Sequence, residues 1–431
     1  MTYSAAIAYL YSLQKHGIKL GLDNMRALME RLGHPERSVR CLHIGGTNGK
    51  GSTAAMTASM LQAAGYRTGL YTSPHLVDFR ERIRIDQSLI PERQVADLTE
   101  RLQAVLSPDL VPTFFELTTA MAFLYFAEAA VEVAVLEVGL GGRFDATNVV
   151  EPMACAITTI ALDHQEYLGG TERSIGFEKA GIIKPGVPVV LGRVAGEALT
   201  VIREIARERA APMMELERDF SAVGPGPERF AYRGPARAVD NLACALAGRH
   251  QLDNAACALA LIEAAEGRGI TVSDTAVRQG LQEVLWEGRL EWVGQHPAVL
   301  LDGAHNPAAA QELAMYLGGW LASRPESRLI LVWGMMRDKD HRQFLEPLLP
   351  LVSELIVTQA DMARSATVRE LRAVAGDRLP RCHDSPVAAE ALVLANTQAA
   401  PHDLICVTGS LMLVGEVKAL IRGCGLSPLR G

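Results

Sequence analysis

Two rhythms alternate along the chain. Short runs of consecutive apolar, β-rich residues mark strands at Val39–Ile44, Thr68–Thr72, Val133–Val138, Cys155–Thr159 and Val187–Leu191. Longer stretches with apolar positions at helical spacing mark helices at Gly51–Ala64, Leu117–Ala130 and Asn254–Ala265. Strands that are apolar throughout, interleaved with helices, predict a mainly parallel sheet covered on both faces. The segment Asp219–Arg233 interrupts the alternation with Pro225, Pro227, Gly224 and Gly226, and it reads as a hairpin or small antiparallel addition. After a short polar stretch, further strands are expected at Ala298–Leu301, Leu329–Trp333, Leu355–Thr358 and Leu404–Thr408. A linker near 287–297 then divides the chain into a large domain, residues 1–287, and a smaller one, residues 288–431. The expected fold class is α/β: a large P-loop-type domain with a mainly parallel sheet, plus a smaller Rossmann-like C-terminal domain.

Composition narrows the classes of function. Of 431 residues, 49% are hydrophobic and 21% charged, which excludes a disordered, collagenous or coiled-coil chain. The 42 basic and 49 acidic residues give a net charge of −7, where nucleic-acid binders usually carry a basic surplus. No nucleic-acid partner is therefore expected. No apolar run reaches the ~20 residues of a membrane helix, so no membrane association is expected either. The N-terminus lacks the basic region of a signal peptide. Seven cysteines without a C-x-x-C pair read as buried reduced thiols, hence a cytoplasmic protein.

The densest chemistry lies in Gly45-Gly46-Thr47-Asn48-Gly49-Lys50-Gly51-Ser52, between a strand and a helix. Backbone N–H groups of such a turn cradle phosphate oxygens, and the helix start adds partial positive charge. Lys50 supplies a cation for the outer phosphates, and Ser52 a hydroxyl for Mg²⁺. The spacing departs from the usual nucleotide loop: Ile44 replaces the first glycine, and Gly51 separates Lys50 from the hydroxyl residue. Glu137, a carboxylate at the end of a buried strand downstream, is placed to reach the metal. The glycines that follow it do not form a dinucleotide fingerprint, because Phe144 stands where the third glycine belongs. Ser73 follows a strand and could reach a metal or a substrate. His164 follows a strand taken to neighbour the one ending in Glu137, and could complete a metal site. Asn254 reads as a helix cap, Asn306-Pro307 as a helix start, and the charges of Arg337–Asp340 as a solvated helix start. Ser410 follows Gly409 at a strand end, where helix capping and carboxylate binding are compatible.

The loop G-T-N-G-K-G-S resembles that of the Mur ligase superfamily, ATP-dependent enzymes that join an amino acid to a carboxylate. Within it the chain is similar to the folylpolyglutamate synthase/dihydrofolate synthase family. The shared blocks are Ser73-Pro74-His75-Leu76, Glu137–Asn148, Asp163-His164 with Lys179-Ala180-Gly181-Ile182, His250–Asn254, Gly288–Glu291, Asp302–Pro307, Gly334–Asp340 and Thr408–Leu411.

The resemblance implies site roles. Gly46 through Ser52, Asn254, Arg289 and Asp302 would contact the nucleotide. Ser52 and Glu137 would hold one Mg²⁺; His164, either Glu137 or Ser73, and a carbamylated Lys179 would hold a second. Asp145 and Arg82 would face the folate substrate, while His305 and Ser410 would face L-glutamate. The implied reaction passes through an acyl phosphate, with dihydropteroate or a folate as acceptor, Lys50 and Lys179 in catalytic roles, and His305 as a possible base for the amine. The implied protein is a monomer acting on small molecules. Three alternatives stay open: an enzyme that only extends polyglutamate tails, a cell-wall Mur ligase, and a P-loop regulator without a glutamate site. A cell-wall ligase usually carries a further N-terminal domain, for which a loop at residue 45 leaves no room.

Overall fold

The computed structural model describes residues 1–17, 21–376, 378–379 and 381–427. By packing, these residues form two units. The first comprises Met1–His75, Phe79–Ala245 and Gln251–Leu285; the second comprises Leu76–Asp78, Leu246–His250 and the chain from Trp286 onward.

The first unit is built on eight strands: β1 (Arg40–Gly45), β2 (Thr68–Tyr71), β3 (Ile83–Ile85), β4 (Ser88–Leu89), β5 (Val133–Glu137), β6 (Ala154–Thr159), β7 (Val189–Arg193) and β8 (Met213–Glu215). Their order is β4-β3-β2-β5-β1-β6-β7-β8. All neighbours are parallel except β2–β3 and β3–β4. Side chains alternate across the sheet. Ala134 and Leu136 pack with Met25, Leu28, Leu117 and Phe126, and Cys155, Ile157, Val189 and Leu191 with Ile182 and Ile202; the register puts both groups on one face, and the buried Leu42, Ile44, Val135, Ala156 and Val190 on the other. Each such fully buried Leu, Ile or Val contributes about 1.5–3 kcal/mol, so both faces are sources of stability. The order corrects one expectation: β6, which precedes His164, does not neighbour β5, because β1 lies between them.

The helix after β1 runs Lys50–Ala63 and is buried continuously from Gly51 to Leu61. Its small residues make that possible. Against it lies the helix Asp274–Glu283, and a Cβ added at Gly280 would sit 2.5 Å from the Met60 Cα. The segment expected to form a hairpin is part of a three-stranded antiparallel sheet, β9 (Ser221–Gly226), β10 (Arg229–Arg233) and β11 (Ala238–Leu242).

The second unit holds β12 (Glu291–Gln295), β13 (Ala298–Leu301), β14 (Leu329–Trp333), β15 (Glu354–Val357), β16 (Cys382–Asp384) and β17 (Leu404–Thr408), in the order β12-β13-β17-β14-β15-β16. Only β12 is antiparallel to its neighbour. The stretch read as a linker at 287–297 is therefore largely an edge strand; its polar residues suit an edge, where one side of the ladder meets water. Alternation again divides the core: Leu329, Leu331 and Trp333 face one layer of helices, Ile330 and Val332 the other.

All seven cysteines are free thiols. Five are buried, whereas Cys382 is half-buried and Cys424 exposed, contrary to the expectation for those two. No described helix is long and apolar enough to cross a membrane.

One core histidine makes stability depend on pH. His43 in β1 is fully buried, and burial lowers its pKa from 6.5 to about 3. It is neutral in the fold and protonated in the unfolded chain between those values, so stability falls as pH drops from 6.5 to about 3, by about 1.4 kcal/mol per pH unit. In urea titrations of wild type and His43→Gln across this range, the stability gap should shrink with falling pH. A constant gap would contradict the assignment.

Candidate active site

The loop after β1 is fixed by the end of β6. Thr47 N donates to Thr159 O (2.8 Å), Asn48 N donates to Thr159 Oγ1 (2.9 Å), and Thr158 Oγ1 donates to Asn48 O (2.6 Å). Gly46 sits at φ +138°, where a Cβ would lie 2.0 Å from Thr158 Oγ1; Gly49 sits at φ +84°, where a Cβ would lie 2.2 Å from Asn254 Oδ1. Both glycines are thus required by conformation and by close approach. The anion cradle expected along the whole loop narrows as a result. The amides of Thr47 and Asn48 serve β6, and the first intrahelical bond is Thr53 N to Gly49 O. The N–H groups of Lys50, Gly51 and Ser52 precede that bond and form the anion-attracting start of the helix. Lys50 Nζ donates to Thr47 O at 3.1 Å.

Around this start lie the other expected residues of the first unit. Glu137 pairs in register with Ile44, so it leaves the sheet beside the loop. Its carboxylate is 4% exposed and accepts the Ser73 N–H at 3.1 Å. Asn254 lies inside the helix His250–Glu266, one turn from its start, and so is not the cap expected of it. Its Nδ2 donates to Gln251 Oε1 (2.8 Å), and Gln251 Nε2 donates to Ser52 Oγ (3.4 Å). Gln251 thereby joins two expected ligand residues. Sequence reasoning passed over it, although its place in the same helical turn as Asn254 was a usable signal.

Lys179 ends the helix Glu172–Ala180 and is buried, its Nζ donating to Gly46 O at 2.8 Å. Burial, and then the charge of Lys50, lower its pKa from 10.5 to about 7, against the opposing pull of Asp163 and Asp145. His164 has φ +49°, and its N–H donates to Asp163 Oδ1 (2.9 Å). Among the described residues, no three His, Cys, Asp or Glu side chains form a metal-holding group. Magnesium commonly binds through one or two carboxylates together with phosphate oxygens and water. Glu137 and the Ser52 hydroxyl are suitable donors for it.

Two expected substrate residues are held by bonds within the chain. Asp145 accepts four hydrogen bonds: Gly139 N and Leu140 N on Oδ2, Thr147 N and Thr147 Oγ1 on Oδ1. Burial raises its pKa, while these donors pull the other way. Its carboxylate ties the loop 139–147 together, and Thr147 Oγ1 in turn accepts from His43 Nε2 (2.8 Å). Arg82 is 1% exposed, with Nε donating to His75 Nδ1 (2.8 Å) and its guanidinium 5.2 Å from the Phe114 ring centre.

In the second unit, Asp302 Oδ1 accepts Ala304 N and Oδ2 accepts Leu290 N, both at 2.9 Å. Arg289 Nη1 donates to Gly288 O at 3.0 Å. The Gly303 carbonyl can only accept, so His305 Nδ1, 2.8 Å away, carries a proton and Nε2 is the nitrogen that can take one. Ser410 caps the helix Leu411–Arg422, its Oγ accepting Met412 N at 3.1 Å. Asn306 caps the helix Pro307–Ala322, and Asp340 the helix His341–Leu345.

An anion-attracting helix start at the end of a central parallel strand, with a buried carboxylate on the next strand, suits a nucleotide phosphate site. Residues 44–190 match the Mur ligase middle domain, and residues 288–411 the Mur ligase glutamate ligase domain. The chain is 36% identical to the dihydrofolate synthase/folylpolyglutamate synthase of Bacillus subtilis over 97% of its own length and 99% of the relative's. It is similar to the structure of Escherichia coli FolC in complex with DHPP and ADP (33% identity, TM-score 0.89, 98% of each chain). A bifunctional folylpolyglutamate synthase/dihydrofolate synthase with Mn, AMPPNP and L-glutamate bound is also similar (32%, TM-score 0.87, 98% of each chain). The chain belongs to the dihydrofolate synthase/folylpolyglutamate synthase family of Mur ligases.

Lys50 makes a single hydrogen bond to its own loop, so its loss should affect charge more than fold. Lys50→Ala is expected to lower glutamate-dependent ADP release by ~10³-fold or more, with a melting temperature close to wild type. Turnover preserved in the variant would refute the placement of the phosphates.

Proposed function

We propose that this protein uses ATP to join L-glutamate to the carboxylate of dihydropteroate, and to extend the glutamate tail of folates. The register that sets Glu137 beside the Lys50 helix start carries this reading. The near end-to-end match to relatives of that name supports it. The glutamate ligase domain match over 288–411 speaks against a regulator that lacks a glutamate site.

The substrate carboxylate attacks the γ-phosphorus of ATP, ADP leaves, and an acyl phosphate forms. Glutamate's amine then attacks the acyl carbon, and phosphate departs. Phosphorylation matters because oxide is not a viable leaving group. The N–H groups of Lys50, Gly51 and Ser52 and the Lys50 ammonium hold the phosphates, contributing position and charge neutralisation. Ser52 and Glu137 would hold one magnesium ion; Ser73, His164, Glu137 and a carbamylated Lys179 would hold a second. Bound magnesium supplies charge neutralisation at the β- and γ-phosphates. Asn254, Arg289 and Asp302 serve the nucleotide, with Asp302 acting through the backbone it ties. Asp145 and Arg82 would serve the folate substrate. The helix start at Ser410 receives a glutamate carboxylate, and His305 Nε2 receives the amine's proton. Free thiols support a reducing, cytoplasmic setting. We read the protein as a monomer acting on small molecules.

A substrate panel tests the reaction. Dihydropteroate and tetrahydrofolate, each with ATP and glutamate, should gain one glutamate residue by mass. Gain on tetrahydrofolate alone would restrict the enzyme to tail extension, and no gain on either would refute the reading.

Lys179 offers a second test. Carbon dioxide reacts with a neutral amine, and a pKa of about 7 leaves Lys179 largely neutral above that pH. Activity in CO2-depleted buffer should therefore rise on adding bicarbonate at pH 8, and less so at pH 6, where the amine is protonated. Native mass spectrometry should show the mass of one added CO2 that disappears in Lys179→Met. Equal rates with and without bicarbonate, on a protein of unmodified mass, would refute the carbamate.

A further inference from the structure

We propose that His75 is a positioning residue, which fixes the Ser73 loop and through it the Glu137 carboxylate. It does so by bridging Arg82 to Tyr11 of the first helix, Tyr3–Ser12. This inference rests on Glu137 serving as a metal ligand.

The geometry is specific to a neutral imidazole. Arg82 Nε is always a donor, so His75 Nδ1, 2.8 Å away, must accept. The ring proton is then on Nε2, which donates to Tyr11 Oη at 3.3 Å. His75 is 2% exposed and Arg82 1% exposed, so water replaces neither partner. Arg82 Nη1 has no hydrogen-bond partner, which makes the acceptor at His75 more valuable to a guanidinium whose pKa burial already lowers. The far end of the bridge is rigid, because the Tyr11 ring stacks on Phe114 with centroids 5.3 Å apart.

What the bridge holds is the approach to the nucleotide site. Thr72 N donates to Arg82 O at 3.0 Å, Ser73 N donates to Glu137 Oε2 at 3.1 Å, and His75 follows two residues later. The backbone that aims the Ser73 N–H is thus tied on one side through the Arg82 carbonyl and on the other through the His75 ring. Loss of the ring frees the loop that orients Glu137. A displacement of ~1 Å at a catalytic group can cost ~10²-fold in rate.

Full-length His75→Leu, His75→Asn and Tyr11→Phe test this, with Glu137→Gln as a control for the metal site itself. Steady-state ADP release would be measured against magnesium, ATP and glutamate. His75→Leu should lower kcat by ~10–100-fold and raise half-saturating magnesium, with little change in KM for glutamate. His75→Asn presents an amide oxygen where Nδ1 lies and should recover much of that loss; Tyr11→Phe should show a smaller magnesium effect. Nitrogen NMR of the wild type should show a neutral His75 with its proton on Nε2.

A proton on Nδ1 would overturn the proposal. So would unchanged magnesium dependence in His75→Leu, or His75→Asn no better than leucine. If the leucine variant does not fold, unaltered magnesium dependence in both His75→Asn and Tyr11→Phe overturns it. Full activity in Glu137→Gln would instead refute the metal-site reading, which separates the two failures.

Discussion

Two adjacent threonines at the end of β6 hold the nucleotide loop in its shape. Thr158 and Thr159 engage Thr47, Asn48 and the Gly45 carbonyl, and fix where the helix Lys50–Ala63 begins. A glycine-rich loop alone has too much conformational freedom to present its amides in one direction. Tied to a neighbouring strand, it does so at little further entropic cost. The small residues of the helix then allow it to be buried on all sides, so the whole sheet stabilises the direction of those amides.

Charge at the site is likewise a local matter. The chain carries a net −7, yet its expected substrates are anions. Their recognition falls to a helix start, Lys50 and the charge brought by metal ions, acting where little water competes. Burying Lys179 close to Lys50 weakens the lysine as a cation and gives it the chemistry of an amine. Glu137 shows the converse: a buried acid is tolerable because a backbone N–H already meets it and a cation is expected beside it.

Several polar residues of the motifs turn out to support loops. Asp145 binds four donors of its own loop, Asp302 joins two backbone segments, and Arg82 packs behind Phe114 and His75. Such residues hold loops in one conformation. They are costly to exchange, because a buried polar group that loses its partner keeps its desolvation penalty.

Much of this was legible in the chain alone. Apolar runs of strand length placed β1, β5, β6, β13, β14 and β17 within a residue or two, since burial on both faces of a parallel sheet leaves few polar positions to blur them. The nucleotide loop and Glu137 were equally plain, because phosphate and magnesium chemistry demands those residue types at strand ends. Sequence could not show that β1 separates β6 from β5, that 291–295 is an edge strand, or that Asn254 reaches Ser52 through Gln251. Nor could it show that the amides of Thr47 and Asn48 are already bonded. Local spacing fixes which residues end a strand or start a helix. Strand order and many hydrogen-bond partners depend on contacts between residues far apart in the chain, such as Ile44 with Glu137 and Thr47 with Thr159, and these form only when the sheet assembles.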